Sequence, residues 1–121
     1  MDKILIPTDF SPNALTAFLY TAQLARALSA EIVVLHAFHF KPGSAFTSIQ
    51  KLQEQEDATR VERKAQLSQF VQGGLRQLGV DPAQAAEQGY KISEIVRMGL
   101  AVEEIVALTE RMHFGLVVMG T

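Results

Sequence analysis

Cysteine is absent from the 121-residue chain. That excludes disulfide scaffolds, thiolate zinc sites, iron–sulfur clusters and cysteine nucleophiles. Surplus charge of either sign is absent too. The chain has 11 Lys and Arg against 13 Asp and Glu, a net charge of −2 and a pI near 5.9. Nothing in that balance would neutralise a run of phosphates, so nucleic acid is not an expected partner. No block of like charge reads as an interaction tail. No apolar run approaches the roughly 20 residues that cross a bilayer, so no membrane partner is expected either. Met1-Asp2-Lys3 leads into an apolar stretch too short for a signal-peptide core, and no small-residue cleavage site follows. The expected compartment is the cytoplasm. The length fits one compact domain, residues 1–121.

What is present is a series of short apolar runs separated by helical patterns. Lys3 to Pro7 is continuously apolar after its first residue, as in a strand buried on both faces of a parallel sheet. Ser11-Pro12 then reads as a helix start, with Ser at the N-cap and Pro at the first helical position. Leu15, Phe18, Leu19, Ala22 and Ala25 form one helical stripe. Glu31 to Ala37 is a second buried strand, rich in β-branched residues. Phe38 to Thr47 reads as a loop around Pro42-Gly43-Ser44. From Ser48 to Leu78 the chain is polar. Leu67, Val71, Leu75 and Leu78 predict a helix in the later half, and a mobile loop or frayed helix is expected in the earlier half. Gly73-Gly74 reads as an interruption of that helix. Lys91 to Met98 predicts a third strand, with Ile92, Val96 and Met98 on one face and Ile95 on the other. Val102, Ile105, Val106 and Thr109 mark a third helix, and Gly115 to Met119 a fourth strand. Strands alternating with helices in this way predict βαβ units and a parallel sheet.

The segment Lys3-Ile4-Leu5-Ile6-Pro7-Thr8-Asp9-Phe10-Ser11 resembles the universal stress protein family. So do the strand ending Leu35-His36-Ala37, Gly99 before a helix, and Leu116-Val117-Val118-Met119-Gly120-Thr121. These pieces occur in the family's order and at its spacings. The resemblance implies an α/β fold: an open, Rossmann-like parallel sheet of the adenine nucleotide alpha hydrolase-like type, with helices on both faces. Its strand order would be 3-2-1-4, extended in the family by a fifth strand. Some members bind ATP at the carboxyl ends of the strands and others do not. Carried over residue by residue, the implied nucleotide contacts are Pro7, Thr8, Asp9, Ala37, Met119 and Gly120. The implied ligand is ATP or AMP, with magnesium as its companion ion. In binding members a Gly-x-x-Gly motif and a later Gly-Ser/Thr hold the phosphates. Here the sequence stops one residue after the first of these glycines. The expectation is therefore a C-terminally incomplete domain, such as the first half of a tandem protein. Without a fifth strand its open edge would favour a homo-oligomer, a dimer or higher.

Read from the residues alone, a parallel sheet whose connections reverse direction beside strand 1 opens a crevice at the carboxyl ends. Thr8-Asp9-Phe10 and Gly120-Thr121 fall there. Asp9 suits ribose hydroxyls, an amine or a cation, and equally suits a helix cap beside Ser11. Gly120 would let a ligand approach the backbone, or would simply form a tight turn. His36 and His39, three apart on a strand, would point to opposite faces and make a poor metal pair. No Gly-x-Gly-x-x-Gly, no P-loop and no Gly-x-Ser-x-Gly elbow occurs. No catalytic acid, base and nucleophile set is visible, so nothing beyond slow ATP hydrolysis is expected. Two functions compete: a nucleotide-binding stress-response domain, and a protein-interaction module of the same fold that binds no nucleotide.

Overall fold

The computed structural model describes residues 3–39 and 48–120. The elements run β1 (Lys3–Pro7), α1 (Pro12–Ala27), β2 (Glu31–Phe38), α2 (Ile49–Gln77), a short 3-10 turn (Pro82–Gln84), β3 (Lys91–Met98), α3 (Ala101–Arg111) and β4 (Leu116–Val117). The strands form one sheet in the order β3-β2-β1-β4. Every neighbouring pair is parallel. This is the open α/β sheet with helices on both faces that the sequence predicts.

Alternation along the strands separates two cores. Ile4, Ile6, Ile32, Val34 and Val96 pack against Phe18, Ala22, Leu67, Val71 and Leu75, so α1 and α2 cover one face. Leu5, Val33 and Leu35 pack against Leu108, with Ile95, Ile105 and Met112 beside them, so α3 covers the other. Ile92 and Ile95 thus fall on opposite faces, as expected. Burying each large aliphatic side chain contributes about 1.5–3 kcal/mol. The central strands β1 and β2, apolar apart from Lys3, Glu31 and His36, supply most of this.

Several local readings are corrected. The helix α2 begins at Ile49 and runs unbroken through Gly73 and Gly74. Ser48 caps it, its hydroxyl accepting from the Lys51 amide at 3.1 Å. The early turns hold few apolar residues, but Gln, Glu, Lys and Arg are strong helix formers in their own right. A Glu56–Arg60 pair at 2.9 Å adds support at i,i+4 spacing. Ile49 stays 78% exposed, so these turns are held by propensity and local bonds, not by packing. In α3 the buried side carries Leu108, while Val102 and Val106 face solvent. Its apolar surface is wider than the sheet covers. The fourth strand narrows to Leu116–Val117, although Gly115 and Val118 still donate to the Lys3 and Leu5 carbonyls. Phe38 belongs to β2, His39 follows it as irregular chain, and residues 40–47 of the expected loop lie outside the described residues.

Candidate functional site

The parallel sheet places the chain after β1, the end of β2 and the chain after β4 at one end. There β1 stands between β2, its successor, and β4, reached only after α3 crosses to the opposite face. A cleft of about 180 Å³ opens at that point. Pro7, Thr8, Asp9, Ala37, Met119 and Gly120 all line it, so the six residues named from sequence come together in space. Leu35, Ala101 and Ile105 complete the lining and were not foreseen. The last two stand on α3. The signal available in the sequence was that α3 starts where β3 ends, which puts its first turn at this same end of the sheet.

The loop after β1 is held by its own short bonds. The Thr8 amide donates to the Leu35 carbonyl at 2.8 Å. The Thr8 hydroxyl accepts from the Phe10 amide at 3.0 Å. Asp9 Oδ1 accepts from the Ser11 amide at 2.9 Å, and Ser11 Oγ accepts from the Ala14 amide at 3.1 Å. Asp9 therefore braces the approach to α1, and Ser11 is the cap. Hydrogen bonds from Ser11, its hydroxyl first and then its amide, hold the Asp9 carboxyl below the ordinary carboxylate range. The side chain is exposed and ionised at the mouth of the cleft.

Beneath this loop, His36 is buried on β2. Its Nδ1 lies 2.8 Å from the Thr8 carbonyl oxygen. A carbonyl only accepts, so Nδ1 carries the hydrogen. Nε2 is then free to accept from Arg63 Nη1, 3.2 Å away on α2. Burial pushes the imidazole below its ordinary value, and the Arg63 charge adds to the effect against opposing contributions from Thr8 and Asp9. His36 is a fastener of the site loop. His39 lies beyond the end of β2, exposed, and no group of three or more metal-ligating side chains occurs among the described residues.

Gly120 has a different constraint from the one anticipated. A Cβ there would fall on the carbonyl group of Asn13 and within 2.6 Å of the Ala14 nitrogen. The close approach is to the first turn of α1, which locks the chain after β4 against the chain after β1.

Sheet order, site position and lining define a universal-stress-protein-like α/β domain with a cleft at the carboxyl ends of its strands. The chain matches the Universal stress protein family over residues 1–121 and belongs to it. Solved structures of similar fold include hypothetical protein MJ0577, whose biochemical function was assigned from its structure. It aligns with a TM-score of 0.67 at 23% identity, over 98% of this chain and 73% of that one. A universal stress protein family protein from Arabidopsis thaliana with AMP bound aligns with a TM-score of 0.63 at 16% identity, over 100% and 77%. A universal stress protein in complex with cAMP aligns with a TM-score of 0.56 at 19% identity, over 97% and 74%. At these identities the likeness establishes the fold. A search of curated proteins gave no match. No helix among the described residues is long and apolar enough to cross a membrane.

Proposed function

We propose that this chain is a stress-response domain that binds an adenine nucleotide or nucleoside in the cleft at the carboxyl ends of β1 and β4. The observation that carries this reading is the convergence of Pro7, Thr8, Asp9, Ala37, Met119 and Gly120 on one cleft. The relatives with AMP and cAMP bound support the ligand class. Apolar walls from Leu35, Ala37, Ile105 and Met119 suit a purine face, and the Asp9 carboxylate suits ribose hydroxyls. Among the described residues, the lining pairs no general base with a nucleophile, which supports a binding role.

Calorimetric titration with adenosine, AMP and ATP tests it. Saturable binding of at least one ligand is expected, and Ala37→Trp, which fills the cleft, removes it. Failure of all three to bind at millimolar concentration, in folded protein, sinks the reading.

A second reading, self-association, rests on a separate observation. Val102 and Val106 of α3 are 70% and 49% exposed, and Leu116 and Val117 of β4 are 37% and 38% exposed. Val117 pairs with Leu5, so it points to the face of the sheet that α3 covers. This open edge and apolar strip suit a second copy of the chain. Sedimentation velocity showing only monomer at high concentration would remove it.

A further inference from the structure

The cleft is held from behind by a residue that does not line it. Thr8 and Asp9 line the cleft, which α3 walls with Ala101 and Ile105. Leu35 and Ala37 of β2 face the same side. His36, between them, faces the opposite side of the sheet, where it pairs with Val96 of the core beneath α1 and α2. From there its Nδ1 donates to the Thr8 carbonyl oxygen at 2.8 Å. That carbonyl belongs to the Thr8–Asp9 peptide, and a trans peptide turns its N–H opposite its C=O. One bond thus fixes the peptide plane between two lining residues and turns the Asp9 amide away from His36. The Phe10 ring closes over the imidazole, and the Phe10 amide returns to the Thr8 hydroxyl at 3.0 Å. Three consecutive residues of the site loop take their places from one side chain.

This arrangement needs a neutral imidazole. Nδ1 donates to a carbonyl, and Nε2 accepts from Arg63 Nη1 at 3.2 Å. A proton on Nε2 would make it a donor facing a guanidinium that only donates. The charged groups around the ring come from two elements. From α2 come Arg63 and, three residues earlier, Arg60, which holds Glu56 and the Val96 carbonyl. From the loop after β1 comes Asp9, whose carboxylate is engaged by the Ser11 amide. The β3 neighbour is the apolar Val96. Burial and the Arg63 charge together outweigh the help that Asp9 and the Thr8 carbonyl give to the charged form. If Arg63 swung away, the imidazolium would remain buried with an Nε2 proton that has lost its partner, which is costly. Turning the ring out to water relieves this and carries the Thr8 carbonyl and Phe10 with it. Drawing Asp9 inward relieves it too, and takes the carboxylate from the cleft.

We propose that His36 is a positioning residue and acid switch for the cleft: neutral, it holds Thr8, Asp9 and Phe10 in the ligand-binding arrangement, and protonated, it releases them and the ligand. This rests on the adenine-ligand reading above and names how that site is regulated. By linkage, ligand binding in turn expels the proton from His36.

The test is calorimetric titration of the full chain at pH 7.5, 6.5 and 5.5 with adenosine, AMP and ATP, comparing wild type with His36→Asn and His36→Ala. His36→Asn keeps a donor for the Thr8 carbonyl and does not titrate, so it serves as the reference for any titration of the ligand's own phosphates. At pH 7.5, His36→Ala should bind about tenfold more weakly than wild type, and His36→Asn should recover most of that loss. Between pH 7.5 and 5.5, wild-type affinity should fall about fivefold further than that of His36→Asn. Near pH 6, titrations in buffers of different ionisation heat should show proton release on binding to wild type, and none attributable to this site in His36→Asn. Identical pH profiles and proton release for wild type and His36→Asn would mean that Arg63 alone yields to the proton. That result, or full affinity in folded His36→Ala, overturns this inference and leaves the adenine-ligand reading standing. Binding of none of the three ligands to folded wild type at pH 7.5 overturns both.

Discussion

The ring of Phe10 stacks on the imidazole of His36, with centroids 4.2 Å apart and planes inclined by 25°. The contact closes a small circuit. Phe10 follows Asp9, His36 holds the Thr8 carbonyl, and Arg63 reaches His36 from α2. The loop that carries the candidate site is thereby tied to the strand and helix behind it. Phe10 also packs at a tilt against Phe70, which in turn meets Phe18, so the circuit runs into the main core.

Phe10 has φ +65°, a left-handed conformation that costs a residue with a Cβ roughly 1–2 kcal/mol. The ring contacts offset that cost. Phe10→Ala loses the contacts and keeps the strain, whereas Phe10→Gly loses both. Urea denaturation should find Phe10→Ala destabilised by about 2–3 kcal/mol and Phe10→Gly milder by about 0.5–1 kcal/mol. Equal stability of the two variants would show that the backbone there is unstrained.

The buried His36 makes stability depend on pH. Its folded-state value is depressed, so the unfolded chain takes up a proton near 6.5 that the folded chain resists. The stabilisation is present above about 6.5 and is lost as pH falls toward the lower folded value. His36→Asn can still donate from its amide to the Thr8 carbonyl but does not titrate. Denaturation at pH 7.5 and 5.5 should show a clear loss for the wild type and a smaller one for the variant. Parallel losses would assign the dependence to groups other than His36.

Gly73 and Gly74 are neighbours in α2 with opposite environments. A Cβ at Gly73 meets nothing within 4 Å, while one at Gly74 would stand 2.6 Å from the Phe18 ring. Phe18 is fully buried and has no room to yield. Gly73→Ala should stabilise by ~0.5–1 kcal/mol through helix propensity. Gly74→Ala should destabilise by about 1–3 kcal/mol by overpacking the α1–α2 contact. Thermal melts of the two variants moving in the same direction would contradict this geometry.

At Gly120, any side chain collides with the backbone of Asn13 and Ala14, the latter the residue whose amide Ser11 caps. Gly120→Ala should therefore loosen both the chain after β4 and the start of α1. A loss of about 1–3 kcal/mol is expected. Hydrogen exchange should quicken at Val118, whose amide bonds to Leu5, and at Ala14. Unchanged exchange at both amides would show that this contact is not structural.

The order of elements was legible because each strand is a short apolar run and each helix carries its own punctuation. Lys3 to Pro7 and Glu31 to Ala37 are buried on both faces and read so without any tertiary knowledge. Ser11-Pro12 announces α1, and the structure confirms that cap. Residues at the carboxyl ends of β1, β2 and β4 converge because parallel strands deliver their ends to one side of a sheet. That much of the candidate site follows from order alone. The first half of α2 was not legible, since periodicity detects packing and these turns pack on little.

Composition and local pattern thus settled the parallel sheet, its two covered faces and the end at which a site would form, because burial periodicity and capping are written along the chain. Contacts between residues distant in sequence were decided only by the folded chain. They put Ala101 and Ile105 in the cleft wall, place Arg63 against His36, and set Gly74 against Phe18 and Gly120 against Asn13. The physical reason is that a missing side chain or a buried imidazole has no meaning until another element arrives beside it. Which atom arrives is a property of packing, not of any one segment.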